Sequence, residues 1–328
     1  ARAARATLVR RLTLAAAGAL GLGLALILGP GALRPPAIAA GAPPFAIRTQ
    51  PVSIAADRIT GLRPLGAWVL SADAPGFGGF SGLVVADGML TAVSDRAGLL
   101  TARFADSAGG PVFSEARLVA LRDSDGSDPG AEGGDAEALV SFGGMLLAAF
   151  EHDHRLAPLS PDGVIGAPIT LPAFETLPAN GGIEALAASG GMLLAIPETP
   201  SGGSFPVYAL TPDGRATGQG RLPAPPPHAV TDATIGPDGL LYVSLRDFSM
   251  ATGVSIRIRR HALSGEPPLP VEGPGETLAA YEHASGIDNI EAIALWRDAQ
   301  GRLRLWLMSD DNFNPLQRTL LLDFEVTG

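Results

Sequence analysis

The sequence predicts an all-β chain, a β-propeller of about five four-stranded blades, and three observations predict it. One strand–turn–strand pattern recurs five times at a spacing that suits one blade. The 42 Gly and 29 Pro are spread between short apolar runs, as tight turns between many strands require. Long stretches of helical periodicity are missing, which argues against helical bundles and helical solenoids.

The chain opens on a different note. Its first forty residues carry five Arg (Arg2, Arg5, Arg10, Arg11, Arg34), no acid and an apolar stretch over 12–28. This reads as a targeting segment, with Ala37-Ile38-Ala39 supplying small residues for cleavage and Arg10-Arg11 before Leu12-Thr13-Leu14 resembling a twin-arginine export signal. The alternative is an uncleaved N-terminal membrane anchor, since the stretch is only marginally long enough to span. The expected organisation is therefore 1–40 as signal peptide or anchor helix and 41–328 as the propeller domain. The protein is expected in the periplasm or secreted, or held at the inner membrane if the segment stays.

The chain has no Cys and no Lys. Thiol nucleophiles, Cys-ligated metals, Schiff-base lysines and disulfides are excluded, so an exported fold rests on its core alone. Without the first forty residues, 18 Arg face 33 acidic residues. Nucleic acid and anionic lipid are poor partners for such a surface, and a metal cation is a good one. A monomer is expected.

The five copies run from Ser81-Gly82-Leu83 to Ser94-Asp95-Arg96, from Glu137-Ala138-Leu139 to Phe150-Glu151-His152, from Glu184-Ala185-Leu186 to Pro197-Glu198-Thr199, from Asp232-Ala233-Thr234 to Leu245-Arg246-Asp247, and from Glu291-Ala292-Ile293 to Ser309-Asp310-Asp311. The interval between the paired polar positions is 14 residues in the first four copies and 19 in the fifth, whose turn is longer. Runs such as Leu240-Leu241-Tyr242-Val243-Ser244-Leu245 are buried strands, punctuated by Pro-Asp-Gly turns. The last copy lacks an outer strand, and residues 52–70 precede the first copy without one of their own. They are expected to complete the last blade and close the ring, removing an exposed sheet edge. If they build a blade with other strands, the count becomes six.

In a propeller the innermost strands border a central channel, so equivalent positions of every blade meet there. Glu137, Glu184, Asp232 and Glu291 form one expected level, and Asp95, Glu151, Glu198, Arg246 and Asp310 a second. Carboxylates gathered near one axis repel unless a cation or Arg offsets them, an arrangement that suits calcium. Repeated acids also serve simply to bond backbone amides. Two further clusters, Ile287-Asp288-Asn289-Ile290-Glu291 and Ser309-Asp310-Asp311-Asn312 to Gln317-Arg318, offer oxygen ligands. The expected metal ligands are Glu137, Glu184, Asp232, Asp288, Asn289, Glu291 and Asp311. The run Glu151-His152-Asp153-His154-Arg155 could ligate a transition metal or act as a general acid, although two His at i, i+2 are more often loop residues. Serine-hydrolase elbow, zincin and dinucleotide signatures are absent.

The runs Phe77-Gly78-Gly79-Phe80-Ser81, Asp135-Ala136-Glu137-Ala138-Leu139, Asn180-Gly181-Gly182-Ile183-Glu184 and Ser309-Asp310-Asp311-Asn312-Phe313 to Gln317-Arg318-Thr319 resemble the phytase-like domain family, described as having esterase-like activity of phytase. The resemblance implies a bacterial exported propeller that hydrolyses phosphoesters through acidic residues. Its implied mechanism is calcium-assisted, with Asp95, Glu151, Glu198 and Asp310 holding the cation and Arg96, Arg246 and Arg318 clamping the phosphate. The substrate would be a small phosphorylated or ester compound. The rival reading is a non-catalytic periplasmic propeller that binds a ligand or a protein.

Overall fold

The structure, a computed structural model, describes residues 38, 43–107, 109–211, 213–282 and 285–328. The expected signal or anchor helix therefore lies outside the described residues.

Three strands precede the repeats: β1 (Ile47–Pro51), β2 (Arg58–Ile59) and β3 (Leu62–Ala72). The first blade is β4 (Phe80–Ala86), β5 (Met89–Ser94), β6 (Gly98–Ser107) and β7 (Gly110–Ala120), in the order of the chain. The second has three strands, β8 (Ala136–Phe142), β9 (Met145–Phe150) and β10 (Arg155–Leu159). Its fourth place is taken by isolated bridges from Leu156 to Ile169 and Leu159 to Ile165, where Pro158, Pro161 and Pro168 cannot sustain a ladder. The third is β11 (Ile183–Ser189), β12 (Met192–Pro197), β13 (Ser204–Leu210) and β14 (Ala216–Pro223). The fourth is β15 (Ala229–Ile235), β16 (Leu241–Ser249) and β17 (Gly253–His261). After the short ribbon β18 (Leu263–Ser264) and β19 (Leu269–Pro270), it continues with β20 (Glu276–Tyr281), with β2 on its edge. The fifth is β21 (Asn289–Arg297), β22 (Leu303–Asp310) and β23 (Leu320–Val326), followed by β3 and then β1.

Each repeat thus becomes one antiparallel sheet. The inner strands touch in the cyclic order β4, β8, β11, β15, β21 and back to β4. Five apolar clusters lie between neighbouring blades, one at each junction: Val93, Leu99 and Leu121 meet Leu139 and Phe150, and Tyr242, Ile256 and Ile258 meet Ile293, Leu305 and Leu307. The alternating apolar faces of successive sheets have nowhere else to be buried, which is why the blades stack face to face. Residues 52–70, expected to act as one piece, divide. Arg58–Ile59 caps the edge of the fourth blade at Ala279 and Ala280, and Leu62–Ala72 pairs with Leu320–Val326.

The junction of the fifth and first blades carries a buried ion cluster at the hairpin end. Arg304 donates through Nε to Asp323 (3.0 Å), through Nη1 to Asp106 (2.9 Å) and Asp298 (3.3 Å), and stands over the Trp296 ring at 5.1 Å. Arg304, Asp298 and Asp323 are all buried. Removing one member of a buried ion group leaves the others uncompensated, so Arg304→Met is expected to cost about 3–5 kcal/mol in urea unfolding. Asp106→Asn, on the exposed side, is expected to cost less than about 1 kcal/mol.

Candidate functional site

Every inner strand carries a β-bulge at the same place, and the bulge decides which side chains face the channel. The registers skip Ser81, Glu137, Glu184, Thr231 and Glu291, each unpaired against the second strand. An unpaired bulge residue turns its side chain away from the ladder and bends the strand. In the second strand of each blade, the residue across from the position two before the bulge is Asp95, Glu151, Glu198, Arg246 or Asp310. Three of these residues repeat one backbone bond, with Asp95, Glu151 and Glu198 donating their N–H to the carbonyls of Gly79, Asp135 and Gly182. The second expected level is thus one structural level.

The first level needs a correction. The 14-residue interval made Asp232 its fourth member, but the hairpin 236–240 is one residue longer, and the bulge falls on Thr231. A one-residue slip turns a side chain to the opposite face. Asp232 is 1% exposed, and its oxygens accept from the Ala233 N–H (2.7 Å) and from the Ile293 N–H of the next blade (2.8 Å). It clamps two inner strands together.

Two other expected ligands are likewise spent on backbone. Asp288 accepts from the Arg318 N–H (3.1 Å) and Nε (3.4 Å), and Arg318 also donates to the Gly286 carbonyl (2.7 Å). Asp311 accepts from the Gly79 and Phe313 N–H groups (3.1 Å each) and from Thr319 Oγ1 (3.0 Å). These bonds hold a turn in which Asn312 and Phe313 both have φ of +49°, a conformation that side-chain-bearing residues adopt only when their surroundings enforce it. The facing loop approaches so closely that a Cβ on Gly79 would lie 2.3 Å from Asp95 Oδ1 and 2.5 Å from the Phe313 ring.

What remains is a continuous acidic cluster. Burial pushes Asp95 up to about 7, with Arg96 opposing and the charges of Asp135 and Asp311 adding. Burial and Glu151 raise Asp135 to about 6. Glu137 lies well above the usual carboxylate range through burial and the charges of Glu184, Asp135 and Asp95, and Glu184 through burial and the charges of Glu198, Glu291 and Glu151. Burial takes Glu291 to about 7 against the pull of Arg246 and raises Glu198 likewise. Asp310, 5% exposed, is raised by burial, Asp95 and Glu291.

Arg246 offsets one half of this charge. Its Nη1 bonds both Asn289 Oδ1 and Glu291 Oε1, its Nη2 stands 3.8 Å from Glu198, and Asn289 Nδ2 donates to the same Glu291 oxygen (2.8 Å). On the other half Arg96 only approaches Asp95, at 3.9 Å, and makes no side-chain hydrogen bond among the described residues.

The half without Arg246 contains a group that could hold a metal ion: Asp135, Glu151 and His152 each offer an atom within 4.8 Å of the others. His152 Nε2 is 3.2 Å from Asp135 Oδ2 and 3.7 Å from Glu151 Oε2. Residues 151–154 form a turn, so the two His are not on one strand face: His152 has φ of +64°, and His154 is buried with Nε2 2.8 Å from the Pro178 carbonyl. Asp135 was not among the expected site residues. It occupies the position of Gly79 and Gly182, two before the bulge.

A family model described as "Phytase-like: Esterase-like activity of phytase" matches residues 75–313. No curated protein matches the chain. Similar solved structures include a putative gluconolactonase (14% identity, TM-score 0.44, covering 93% of this chain and 97% of that one). They also include the α-L-arabinofuranosidase PaAbf62A of Podospora anserina in complex with cellotriose (12%, 0.46, 86% and 97%) and BamB of Moraxella catarrhalis (12%, 0.37, 85% and 100%).

Proposed function

Because the chain belongs to the phytase-like family, we propose that it is an exported hydrolase that cleaves phosphoesters with the help of a hard divalent cation, calcium by preference. The observation that carries this reading is the convergence of eight carboxylates (Asp95, Asp135, Glu137, Glu151, Glu184, Glu198, Glu291 and Asp310) in which Arg246 offsets only the half around Glu198 and Glu291. Carboxylate oxygens far outnumber the one imidazole nitrogen of His152 at this end of the ring, a balance that fits calcium better than zinc.

Asp135 and Glu151 would hold the ion, with Asp95, Asp310, Glu137 and Glu184 around them. Asp232, Asp288 and Asp311 stay outside the ligand set, because their oxygens are bonded to backbone amides. A bound cation would neutralise phosphate oxygens and acidify a water molecule. Arg96 is the side chain left to clamp the phosphate, since Arg246 is held by Glu291 and Asn289 and Arg318 by Asp288. As the water oxygen bonds to phosphorus, the ester oxygen departs with its electron pair. His152 would hand that oxygen a proton. The reading also includes export through the first forty residues and closure of the ring by Leu62–Ala72.

The test is turnover of a phosphomonoester, a phosphodiester and a carboxylic ester by the mature protein in calcium and in excess chelator. Calcium-dependent cleavage of a phosphoester is expected, with kcat/KM lowered about a hundredfold in Arg96→Ala. No turnover on any of the three would leave a ligand-binding propeller as the better description.

A further inference from the structure

The acidic cluster has a neighbour of different chemistry. Between the second and third blades, the segment that follows β10 folds over the turn 151–154 and leaves a cavity of about 360 Å³. One wall is apolar, formed by Leu171, Phe174, Leu177 and Ala179, and His152, Asp153, His154, Thr170 and Glu175 complete the lining. His152 is also a member of the Asp135–Glu151–His152 group, so cavity and carboxylates share a side chain.

We infer that this cavity is the subsite for the carbon skeleton of the substrate, and that the skeleton is aromatic or branched aliphatic and not a second phosphate-bearing group. Resting on the hydrolase reading above, this inference narrows its substrate class to esters of apolar alcohols or phenols. Four observations support it. The volume lies at the low end of the range of small-molecule sites, and apolar side chains hold one side of it. Glu175 in the lining is acidic, the charge of Asp153 is met by Arg155, and no Arg lines the cavity, so no guanidinium is there to clamp a polyanion. Arg155, the basic residue of this turn, is turned away, paired with Asp153 and the Gly133 carbonyl and stacked on the Phe150 ring. His154, 8% exposed, has Nε2 near the Pro178 carbonyl, which makes Nε2 the N–H, and its Nδ1 has no partner among the described residues. A buried ring nitrogen without a partner marks a place where protein groups alone are insufficient.

The test uses 1-naphthol as a probe, because its binding needs no turnover. Fluorescence titration of the full chain in calcium is expected to show saturable binding. Thr170→Trp and Ala179→Trp, two exposed positions on the rim, fill the cavity without opening the core. Each should weaken naphthol at least about tenfold while the melting temperature is kept. Where phosphoesters turn over, 1-naphthyl phosphate should be preferred to methyl phosphate, and the preference should shrink in both variants. Absence of saturable binding overturns the subsite, as does binding that neither variant weakens. Naphthol binding without turnover of any ester instead overturns the hydrolase reading and leaves an apolar-ligand site.

Discussion

In metal-free buffer the protein is expected to lose stability as the pH rises from about 5 to about 8. Folding moves Asp95 and Glu291 to about 7 and Asp135 to about 6, and lifts Glu137, Glu184 and Asp310 well above the usual carboxylate range, chiefly through burial. In the unfolded chain such groups titrate near 4. Between those limits the folded state holds more protons than the unfolded one, so raising the pH favours unfolding. The stabilising protons are all present below about pH 4 and are lost as the pH passes through 6 and 7. A tenfold difference in proton affinity is worth about 1.4 kcal/mol. Several such groups together should lower the melting temperature by on the order of 10 °C. On the proposed reading calcium takes the place of the lost protons, so it should restore most of the fall at the upper pH and do little at the lower. Scanning calorimetry at both pH values, with and without chelator, decides the matter. A melting temperature that climbs with pH in chelator would show that the carboxylates are not crowded as described.

The second large effect is expected at Arg246. Its guanidinium is the positive charge within reach of Glu198, Glu291, Glu184 and Asp310. Arg246→Met leaves those carboxylates buried and unpaired, a loss of about 3–5 kcal/mol when one partner of a buried ion group is removed. The loss should be largest near pH 8 and smaller near pH 5, where Glu291, raised to about 7, holds its proton. Urea unfolding at the two pH values reads the difference directly. Arg221→Met serves as the control on an exposed side chain, where a change within about 0.5 kcal/mol is expected. Equal stability of Arg246→Met at the two pH values would remove the electrostatic account of this half of the site.

Much of the fold was legible because strand and turn are local. Apolar runs such as Met145–Phe150 and Leu241–Ser249 carry their own boundaries, and the five copies carry the blade count. The level of Asp95, Glu151, Glu198, Arg246 and Asp310 was legible too, as the polar position that follows the apolar run of the second strand in every copy. Position two before the bulge was not, because Gly79, Asp135 and Asn289 share no residue type. That hid Asp135. Thr231 was hidden by a hairpin one residue longer, which shifts the bulge without disturbing the apolar pattern.

By itself, then, the amino-acid order determined an all-β repeat with an acid-rich end to each unit, since those features depend on neighbours a few residues apart. Only the tertiary structure decided which acids are crowded together at the blade ends and which are bonded into the scaffold. Asp311 answers to Gly79 across 232 positions of chain and Asp232 to Ile293 across 61, and such bonds exist only after the blades meet. A carboxylate bonded to two amides is already satisfied, and one left among like charges is not.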